Sequence, residues 1–281
     1  MRSAGQATDP RIHILRARDG RARLDLTSLW SYRELVYFFI WRDFKVRYRQ
    51  TVLGALWAIL QPLVTMVVFS VVFGRVAGIS SDGLPYPVFS YAALLPWTFF
   101  STGVILAANS LVTSQNLLKK VYFPRLALPM AAVVIGLVDL GFASLILGVM
   151  MVIYGVAPSP LAFLVLPLML LALITTLGVG LWFAALNVQY RDVRYIVPFL
   201  LQVWLFLTPV VYPSSLIDEP WRTLSALNPN VGVVEGIRWA LLGTDTAPGS
   251  QIIVSAGMAL LILMSALYYF RHVEGTFADV V

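Results

Sequence analysis

The stretch QNLLKKVYFPRLALP, residues 115–129, decides the fold because it is a short basic interruption between two long apolar runs. The run before it, residues 88–112, is nearly all apolar, and the run after it, residues 126–154, is apolar apart from Asp139. About 20 apolar residues in a helix cross the hydrocarbon core of a bilayer, so each run is long enough to span it. The stretch therefore predicts two membrane-spanning helices joined by a short polar connection.

The connection carries three cations, Lys119, Lys120 and Arg125. Each would cost about 3 kcal/mol at the centre of a bilayer, so the three side chains must lie in water or among lipid headgroups. Residues 114–121 have room for about two helical turns before Pro124 ends the helix, because proline disfavours the helical conformation of the residue before it. We expect a small helix across the mouth of the helix pair, where another molecule could push on both spans.

The composition places the whole chain in a membrane. Of its 281 residues, 59% are hydrophobic and 12% are charged, whereas a soluble domain has about 25% charged residues. Long apolar runs favour an all-α membrane protein over a β-barrel. The first 27 residues have no apolar core, so no cleavable signal is expected. The absence of cysteine excludes disulfides and thiolate metal sites.

Six spans are predicted from the apolar runs, at residues 52–73, 88–112, 126–154, 161–186, 195–212 and 252–270. Seventeen of the 20 lysines and arginines lie on one side of these spans, and only Arg75, Arg222 and Arg238 lie on the other. The excess of cations on the cytoplasmic side of membrane proteins places both termini in the cytoplasm. The net charge of +6 would suit a nucleic-acid partner, but this one-sided distribution indicates membrane topology instead.

The first 50 residues divide into two predicted segments that precede the six-span domain, residues 51–281. Residues 1–27 are basic and are interpreted as a disordered cytoplasmic arm. Residues 28–50 are interpreted as an amphipathic helix in the headgroup layer, because Trp41, Phe44 and Tyr48 share a stripe beside a stripe of cations. An ordinary basic flank that only fixes topology is the alternative, and the interfacial helix is preferred.

The segment between the fifth and sixth spans contains two shorter, half-apolar runs. Residues 216–227 and 231–242 are each too short to cross a membrane and are separated by Asn228, Pro229 and Asn230. A re-entrant helix pair that dips into the outer leaflet is preferred, provided that protein covers its backbone breaks. A cap resting on the membrane surface is the alternative.

The chain shows no signature of an enzyme. It lacks GxxxxGK[ST], HExxH and GxSxG, and its two histidines, His13 and His272, lie near the two ends. We expect no catalytic residue and no bound metal. Asp139 is the one acid in the middle of a span, so it is either a proton or ion site or an acid satisfied by a neighbouring helix. The second role is favoured, because ion-coupled pumps usually need more than one titratable group.

Aromatic residues make up 13% of the chain. Most of them are expected to face lipid or the membrane interface. Their faces can also stack on sugar rings, so a wide pore lined by aromatics would let a glycan slide. The sequence does not separate these roles for the candidate channel-lining residues, which are Trp57, Phe69, Phe73, Trp97, Phe99, Phe100, Trp204 and Phe206.

Four blocks of sequence resemble the permease subunit of polysaccharide-exporting ABC transporters, which export O-antigen, capsule or teichoic acid chains. They are RDFKVRYRQTVLGALWAILQPL (residues 42–63), YPVFSYAALLPWTFF (86–100), NLLKKVYFPRLALP (116–129) and LNVQYRDVRYIVPFLLQVWLFLTPVVYP (186–213). The resemblance implies a homodimer in the inner membrane with two copies of a separate ATPase. ATP and magnesium would be used by that ATPase, so this chain would bind no cofactor.

The resemblance also implies the site residues. The loop 114–124 would be the coupling helix inserted into the ATPase, and residues 189–194 would be a second cytoplasmic contact. The implied ATPase-coupling residues are Ser114, Gln115, Asn116, Leu117, Leu118, Lys119, Lys120, Tyr122, Phe123, Pro124, Arg125, Tyr190, Arg191 and Asp192.

A lipid-linked polysaccharide on a polyprenyl diphosphate would be the substrate. Arg42, Lys45, Arg47 and Arg49 would either attract its diphosphate at the cytoplasmic entrance or only anchor the topology, and both roles stay open. An ABC exporter permease for teichoic acid, capsule, a small lipid or a drug is the alternative within this architecture. An ion-coupled carrier or a membrane glycosyltransferase would need acidic sites that the sequence does not contain.

Overall fold

The computed structural model describes residues 32–49, 54–121, 123–244 and 247–277. The predicted disordered arm, residues 1–27, lies outside the described residues, as do both ends of the predicted interfacial segment 28–50. Regular structure in the described part of the chain is entirely helical, as expected where lipid cannot satisfy backbone hydrogen bonds. The all-α prediction is confirmed.

The α-helices follow one another along the chain with short connections. They are α1 (Arg33–Arg49), α2 (Gly54–Phe69), α3 (Tyr86–Thr113), α4 (Gln115–Lys120), α5 (Ala127–Val134), α6 (Gly136–Ile153), α7 (Val165–Gln189), α8 (Val193–Leu207), α9 (Trp221–Ser225), α10 (Pro229–Ile237) and α11 (Ser250–Val273). Two π-helical turns extend α2 and α10, at Ser70–Val76 and Arg238–Leu242. Single 3₁₀ turns occur at Ala162–Leu164, Ser214–Leu216 and Glu274–Thr276.

Among the described residues, five helical stretches are long and apolar enough to cross a membrane. They match the predicted first, second, third, fourth and sixth spans, and they are Ile59–Val76, Tyr86–Thr113, Ala127–Ile153, Ala162–Gln189 and Ser250–Val273. The predicted fifth span, 195–212, is different. Its helix, α8, has 15 residues and is therefore about 22 Å long at 1.5 Å per residue. A count of six spans stays a prediction.

Helix α7 packs closely along both α3 and α11 because small residues line its contacts. A Cβ added to Gly103 of α3 would lie 2.6 Å from the Cγ2 of Thr176, and one added to Gly180 of α7 would lie 2.8 Å from the Cβ of Ala107. The paired positions rise together along both helices, so α3 and α7 are parallel.

Helix α11 is also parallel to α7. A Cβ on Gly178 would lie 2.9 Å from the backbone nitrogen of Leu263, and the Tyr269 hydroxyl donates to Gln189 Oε1 at 3.0 Å further along both helices. The carboxyl ends of α3, α7 and α11 therefore meet at one end of the bundle. We call this the basic end, because α4 and its lysines follow α3 there.

Helix α10 lies inside the protein rather than on its surface. All its residues from Pro229 to Ile237 are buried, and it packs against α3, α7 and α11. Its N-terminal half is tied to α11, because the backbone N–H of Gly232 donates to Ser255 Oγ at 3.1 Å. The segment predicted at 231–242 is helical, as α10 and the π-helical turn that extends it, while its re-entrant placement in a membrane stays a prediction.

The helix predicted at 216–227 is wrong for most of its length. The structure has a 3₁₀ turn at Ser214–Leu216 and then only the five residues of α9. Proline is tolerated in the first turn of a helix but not in its interior. Pro220 therefore directly precedes Trp221, the first residue of α9, and Pro229 is the first residue of the next helix, α10.

The chain after α8 turns back without regular structure, and Arg238 satisfies its carbonyl groups. The Arg238 side chain is buried, with 1% of it exposed. Its Nη1 donates to the carbonyls of Pro209 at 2.5 Å and Tyr212 at 3.4 Å, and its Nη2 donates to Val210 at 2.7 Å. A carbonyl left unpaired in an apolar interior is costly, so this guanidinium stabilises the turn.

The same guanidinium joins the turn to α3 and α10. It donates through Nε to the carbonyl of Phe89 at 3.2 Å, and it lies 3.6 Å from the centroid of the Phe89 ring. Its charge is paired with Glu235 at 3.0 Å, and Ser214 donates to the other oxygen of Glu235 at 3.0 Å. The buried ion pair is thus fully embedded in hydrogen bonds, which is the condition for such a pair to be tolerated.

Helix α1 packs against the start of the third predicted span, which consists of α5 followed by α6. The buried ring of Phe39 lies 5.3 Å from that of Phe123. About two helical turns after Phe39, Arg47 pairs with Asp139 at 2.7 Å, and the Tyr48 hydroxyl donates to the same carboxylate. Asp139 is therefore an acid held by a neighbouring helix, which is the role that the sequence favoured.

Tyr48 remains a hydrogen-bond donor in this contact. Burial raises the pKa of its phenol, and the hydrogen bond to the negatively charged Asp139 raises it further. The aromatic stripe predicted on this helix is confirmed, since Trp41 stacks on Phe44 at 5.8 Å and Phe44 lies 4.7 Å from Tyr48. The location of α1 at the lipid headgroups stays a prediction.

Replacing Asp139 by Asn should loosen α1 from the bundle, because the ion pair with Arg47 is lost. We expect the free energy that holds α1 against the bundle to fall by about 1.5–3 kcal/mol, the range for a hydrogen bond to a charged group. Limited trypsin cleavage at the arginines of α1 measures it, and D139N should be cut faster than the wild type. D43N, which removes only the local partner of Arg42, is the control. Equal cleavage of D139N and the wild type would contradict this contact.

Replacing Arg238 by Met should destabilise the protein by about 3–5 kcal/mol, because Glu235 and the carbonyls of the turn are left buried without a partner. Thermal unfolding in detergent measures the change. R75M, at an exposed cation on the same side of the bundle, should change the free energy of unfolding by less than about 0.5 kcal/mol. An R238M variant as stable as R75M would refute the assigned role of Arg238.

Candidate functional site

The polar connection at the basic end contains the helix that the sequence predicted. Helix α3 ends at Thr113, and the carbonyl of Ser114 accepts from the N–H groups of Leu117 at 2.9 Å and Leu118 at 3.1 Å. A new helix therefore begins at once, and it ends when Val121 takes an extended conformation. The predicted bounds of 114–121 agree with those of α4 to within a residue or two.

One face of α4 is fixed in the protein and the other is open. Leu118 is 7% exposed and Phe123 is 4% exposed, and both belong to a buried cluster with Leu111 of α3. Lys119 and Lys120, the next two residues, are exposed. A force applied to the lysine face would therefore be transmitted to the spans through packed side chains, because a close-packed interior yields little.

A cavity of ≈ 200 Å³ lies beside α4, and its lining includes Lys119, Lys120 and Arg125. Leu118 and Phe123 supply the apolar part of the lining. Lys119 and Lys120 are exposed there, and two exposed cations at one opening favour an acidic group from another molecule. The opening is thus suited to contact a protein that presents carboxylates.

The other predicted coupling residues of this connection divide by exposure. Gln115 and Asn116 are exposed, Ser114, Leu117 and Pro124 are half-buried, and Tyr122 lies outside the described residues. The second predicted contact, Tyr190, Arg191 and Asp192, is an exposed reversal between α7 and α8. The reversal follows α7, whose carboxyl end lies at the basic end, so the fold brings both predicted contacts to the same end of the bundle.

Sequence reasoning missed two residues at the basic end. Glu274 accepts a hydrogen bond from the backbone N–H of Arg125 at 3.2 Å, and Phe277 is completely buried beside it. Neither residue carries a signal in the sequence, because an acid and a phenylalanine after a last span are common. Only the fold places them against a connection about 150 residues earlier.

The four predicted entrance cations do not converge on one anion site within this chain. Arg42 pairs with Asp43 at 2.8 Å, and Arg47 pairs with Asp139. The ammonium group of Lys45 lies 5.1 Å from the ring of Trp41, and Arg49 is exposed. A diphosphate contact at these residues stays a prediction.

The eight candidate channel-lining aromatics fall into three groups. Four of them are packed in the core of the single chain with at most 9% exposed, namely Phe69, Trp97, Phe99 and Phe100. Phe73 and Trp204 are partly buried against that core, while Trp57 and Phe206 are 56% and 53% exposed. Of these eight aromatics, Trp57 and Phe206 are the two that present large open faces.

Trp57 also borders a cavity of ≈ 110 Å³ that Phe99, Arg47 and Asp139 line as well. In the described part of the chain, no group of three or more histidine, cysteine, aspartate or glutamate residues could hold a metal ion.

Comparison with known proteins gives the family. Residues 34–242 match the family described as ABC-2 type transporter. The O-antigen export system permease protein RfbA of Myxococcus xanthus is 33% identical over 255 residues, which cover 90% of this chain and 97% of the relative. A protein of the same name from Klebsiella pneumoniae is 26% identical over 85% of this chain and 92% of its own length.

The polysialic acid transport protein KpsM of Escherichia coli is 25% identical over 83% of this chain and 91% of the relative. Both the matched family and these relatives agree with the resemblance that the four sequence blocks indicated, which is confirmed. The chain belongs to the ABC-2 type transporter family and is a membrane permease related to polysaccharide exporters.

Proposed function

We propose that this chain is the channel-forming permease subunit of an ABC transporter that exports a lipid-linked polysaccharide, such as O-antigen on a polyprenyl diphosphate, across the inner membrane. A separate ATPase would drive the export. The observation that carries the proposal is the basic end, where α4 presents lysines outward and is fixed inward by Leu118 and Phe123. The names of the relatives from Myxococcus xanthus and Klebsiella pneumoniae support O-antigen as the substrate class.

The coupling step follows from how α4 is held. ATP binding draws two ATPase subunits together, and each would push on the lysine face of one α4. Because α4 follows α3 directly and its buried face packs on the spans, the push moves spans as rigid bodies. The reversal at Tyr190, Arg191 and Asp192 would be the second point of contact, since it lies at the same end.

The orientation of the chain follows from charge. The basic end would face the cytoplasm, where membrane proteins carry their excess of lysine and arginine. Helix α10 would then be a re-entrant element on the outer side, supported by its complete burial among α3, α7 and α11. With the irregular segment held by Arg238, α8 would be the fifth of six crossings, so that both termini are cytoplasmic.

A second copy of the chain would complete the channel. Helix α8 exposes an apolar stripe that includes Tyr195 (66%), Phe199 (65%) and Phe206 (53%), and α2 exposes Trp57 and Val67. Two such faces brought together in a homodimer would enclose a path with aromatic walls. Stacking on sugar rings would let the glycan slide along it.

A capsule-type polysaccharide is the second candidate substrate, because KpsM of Escherichia coli is named as a polysialic acid transport protein. Teichoic acid, a small lipid or a drug would require the same coupling. An ion-coupled carrier has less support, since Asp139 is engaged by Arg47 and Tyr48. The chain would bind no cofactor, with ATP and magnesium used by the partner ATPase.

Deletion of the gene for this chain tests the proposed function. We expect lipid-linked polysaccharide to accumulate inside the cell, with the glycan lost from the cell surface. Fractionation of the lipid-linked pool and surface staining for the glycan measure the two effects, and the wild-type gene should restore export. Normal surface glycan after deletion would disprove the proposal.

The double substitution K119E/K120E should uncouple the permease from its ATPase. Like charges placed against an acidic partner cost several kcal/mol, so surface glycan should fall by at least about tenfold. Co-purification of the ATPase should fall with it. R75E, which reverses an exposed charge at the opposite end of the bundle, is the control and should export normally. Full export by K119E/K120E would refute the assignment of α4.

A further inference from the structure

We propose that the C-terminal turn, residues 274–277, positions the coupling connection, so that a push on α4 reaches α11 directly. The proposal rests on the proposed function, because it assigns a role within ATPase coupling. It adds Glu274 and Phe277 to the residues on which coupling depends, and it gives Arg125 a partner within the chain rather than on the ATPase.

Glu274 binds the connection through both its main chain and its side chain. Its Oε1 accepts from the backbone N–H of Arg125 at 3.2 Å, and its carbonyl accepts from the Arg125 guanidinium. Its other carboxylate oxygen pairs with Arg271, in the last turn of α11, at 3.2 Å. Glu274 therefore joins the end of α11 to the residue that leads from α4 into α5.

Phe277 fixes the same turn by burial. Its ring is fully buried, lies edge-on to Phe270 of α11 with the centroids 5.3 Å apart, and is 5.8 Å from the Arg125 guanidinium. It belongs to the buried cluster that contains Leu118 and Phe123. The turn thus shares one packed unit with the inner face of α4.

The three cations of the connection then have different roles. Lys119 and Lys120 are exposed and are available to the partner, whereas Arg125 is half-buried and bound to the C-terminal turn. The main chain links α4 to α3 and, through Arg125, to α5, and Leu118 also packs in one cluster with Leu111 of α3. The turn adds a third connection, to α11, which is not adjacent to α4 in sequence.

This third connection changes how the spans respond to the ATPase. Packed elements move together when their contacts are rigid, and coupling is lost when one contact yields. With the turn in place, α11 and α7 follow α4 as one body, because α11 packs along α7. Without it, α4 would shift while α11 stayed in place, and ATP would be hydrolysed with less export.

The variants E274A and F277A in the full chain, expressed with the ATPase, test the proposal. Surface glycan per amount of complex is measured in cells, and ATP hydrolysis is measured on the purified complex. We expect ATP hydrolysis within about twofold of the wild type and export per ATP lowered by about threefold to thirtyfold. H272A changes an exposed residue in the last turn of α11, just before the C-terminal turn, and should leave both values unchanged.

The conservative variant F277L separates positioning from folding. F277L restores most of the buried apolar volume, so it should recover export. The double variant R125A/E274A should lower export per ATP no further than either single variant does. Wild-type export per ATP in both E274A and F277A would overturn the proposal. Loss of ATPase co-purification and folded yield in F277A and F277L alike would also overturn it, in favour of a folding role.

The proposed function is tested separately in the same cells. If K119E/K120E exports normally, the coupling role of α4 fails whatever the C-terminal variants do. If K119E/K120E loses export while E274A and F277A keep it, only the role of the C-terminal turn fails.

Discussion

The hydrogen bonds of the Arg238 guanidinium are the interaction on which the half of this structure opposite the basic end depends. Backbone carbonyls have no water to bind inside a bundle, so a chain that leaves its helix needs another donor. Arg238 supplies donors to the carbonyls of Pro209, Val210 and Tyr212, and Glu235 balances its charge. These bonds allow α8 to end after 15 residues and the chain to turn back into the protein. They also tie the end of α10 to α3 and to this turn.

Parallel packing organises the opposite end. Glycines at the contacts of α3, α7 and α11 bring the backbones close, and because the three helices run in the same direction, their carboxyl ends meet. The connection with α4, the reversal at residues 190–192 and the C-terminal turn each follow one of these ends. These three parts are far apart in the sequence, and together they form one surface. Each part continues a packed span, so the surface can move as one body.

Charge is distributed over this surface in two ways. Arg47 and Arg125 are engaged within the chain, by Asp139 and Glu274, and they hold helices to one another. Lys119 and Lys120 are exposed and have the position expected of residues that meet a partner. Cationic side chains thus divide by burial into arginines that hold the fold together and exposed lysines, to which the proposed function assigns the contact with a partner. The contact of α1 with Asp139 also removes the one acid in a span from consideration as an isolated proton site.

The sequence by itself determined the all-α membrane class, five of the spans, the short helix α4 and the family, because long apolar runs, a basic interruption and motif blocks are local in the chain. It failed at residues 216–227, where Pro220 leaves room for only five helical residues, and it did not separate buried aromatics such as Phe100 from exposed ones such as Trp57. The tertiary structure alone decided that Arg238 binds the turn after α8, that Asp139 binds Arg47 and Tyr48, and that Glu274 and Phe277 lie against Arg125. Each of these contacts joins residues that are far apart in the sequence, and neither the periodicity nor the composition of a sequence indicates which distant residues meet.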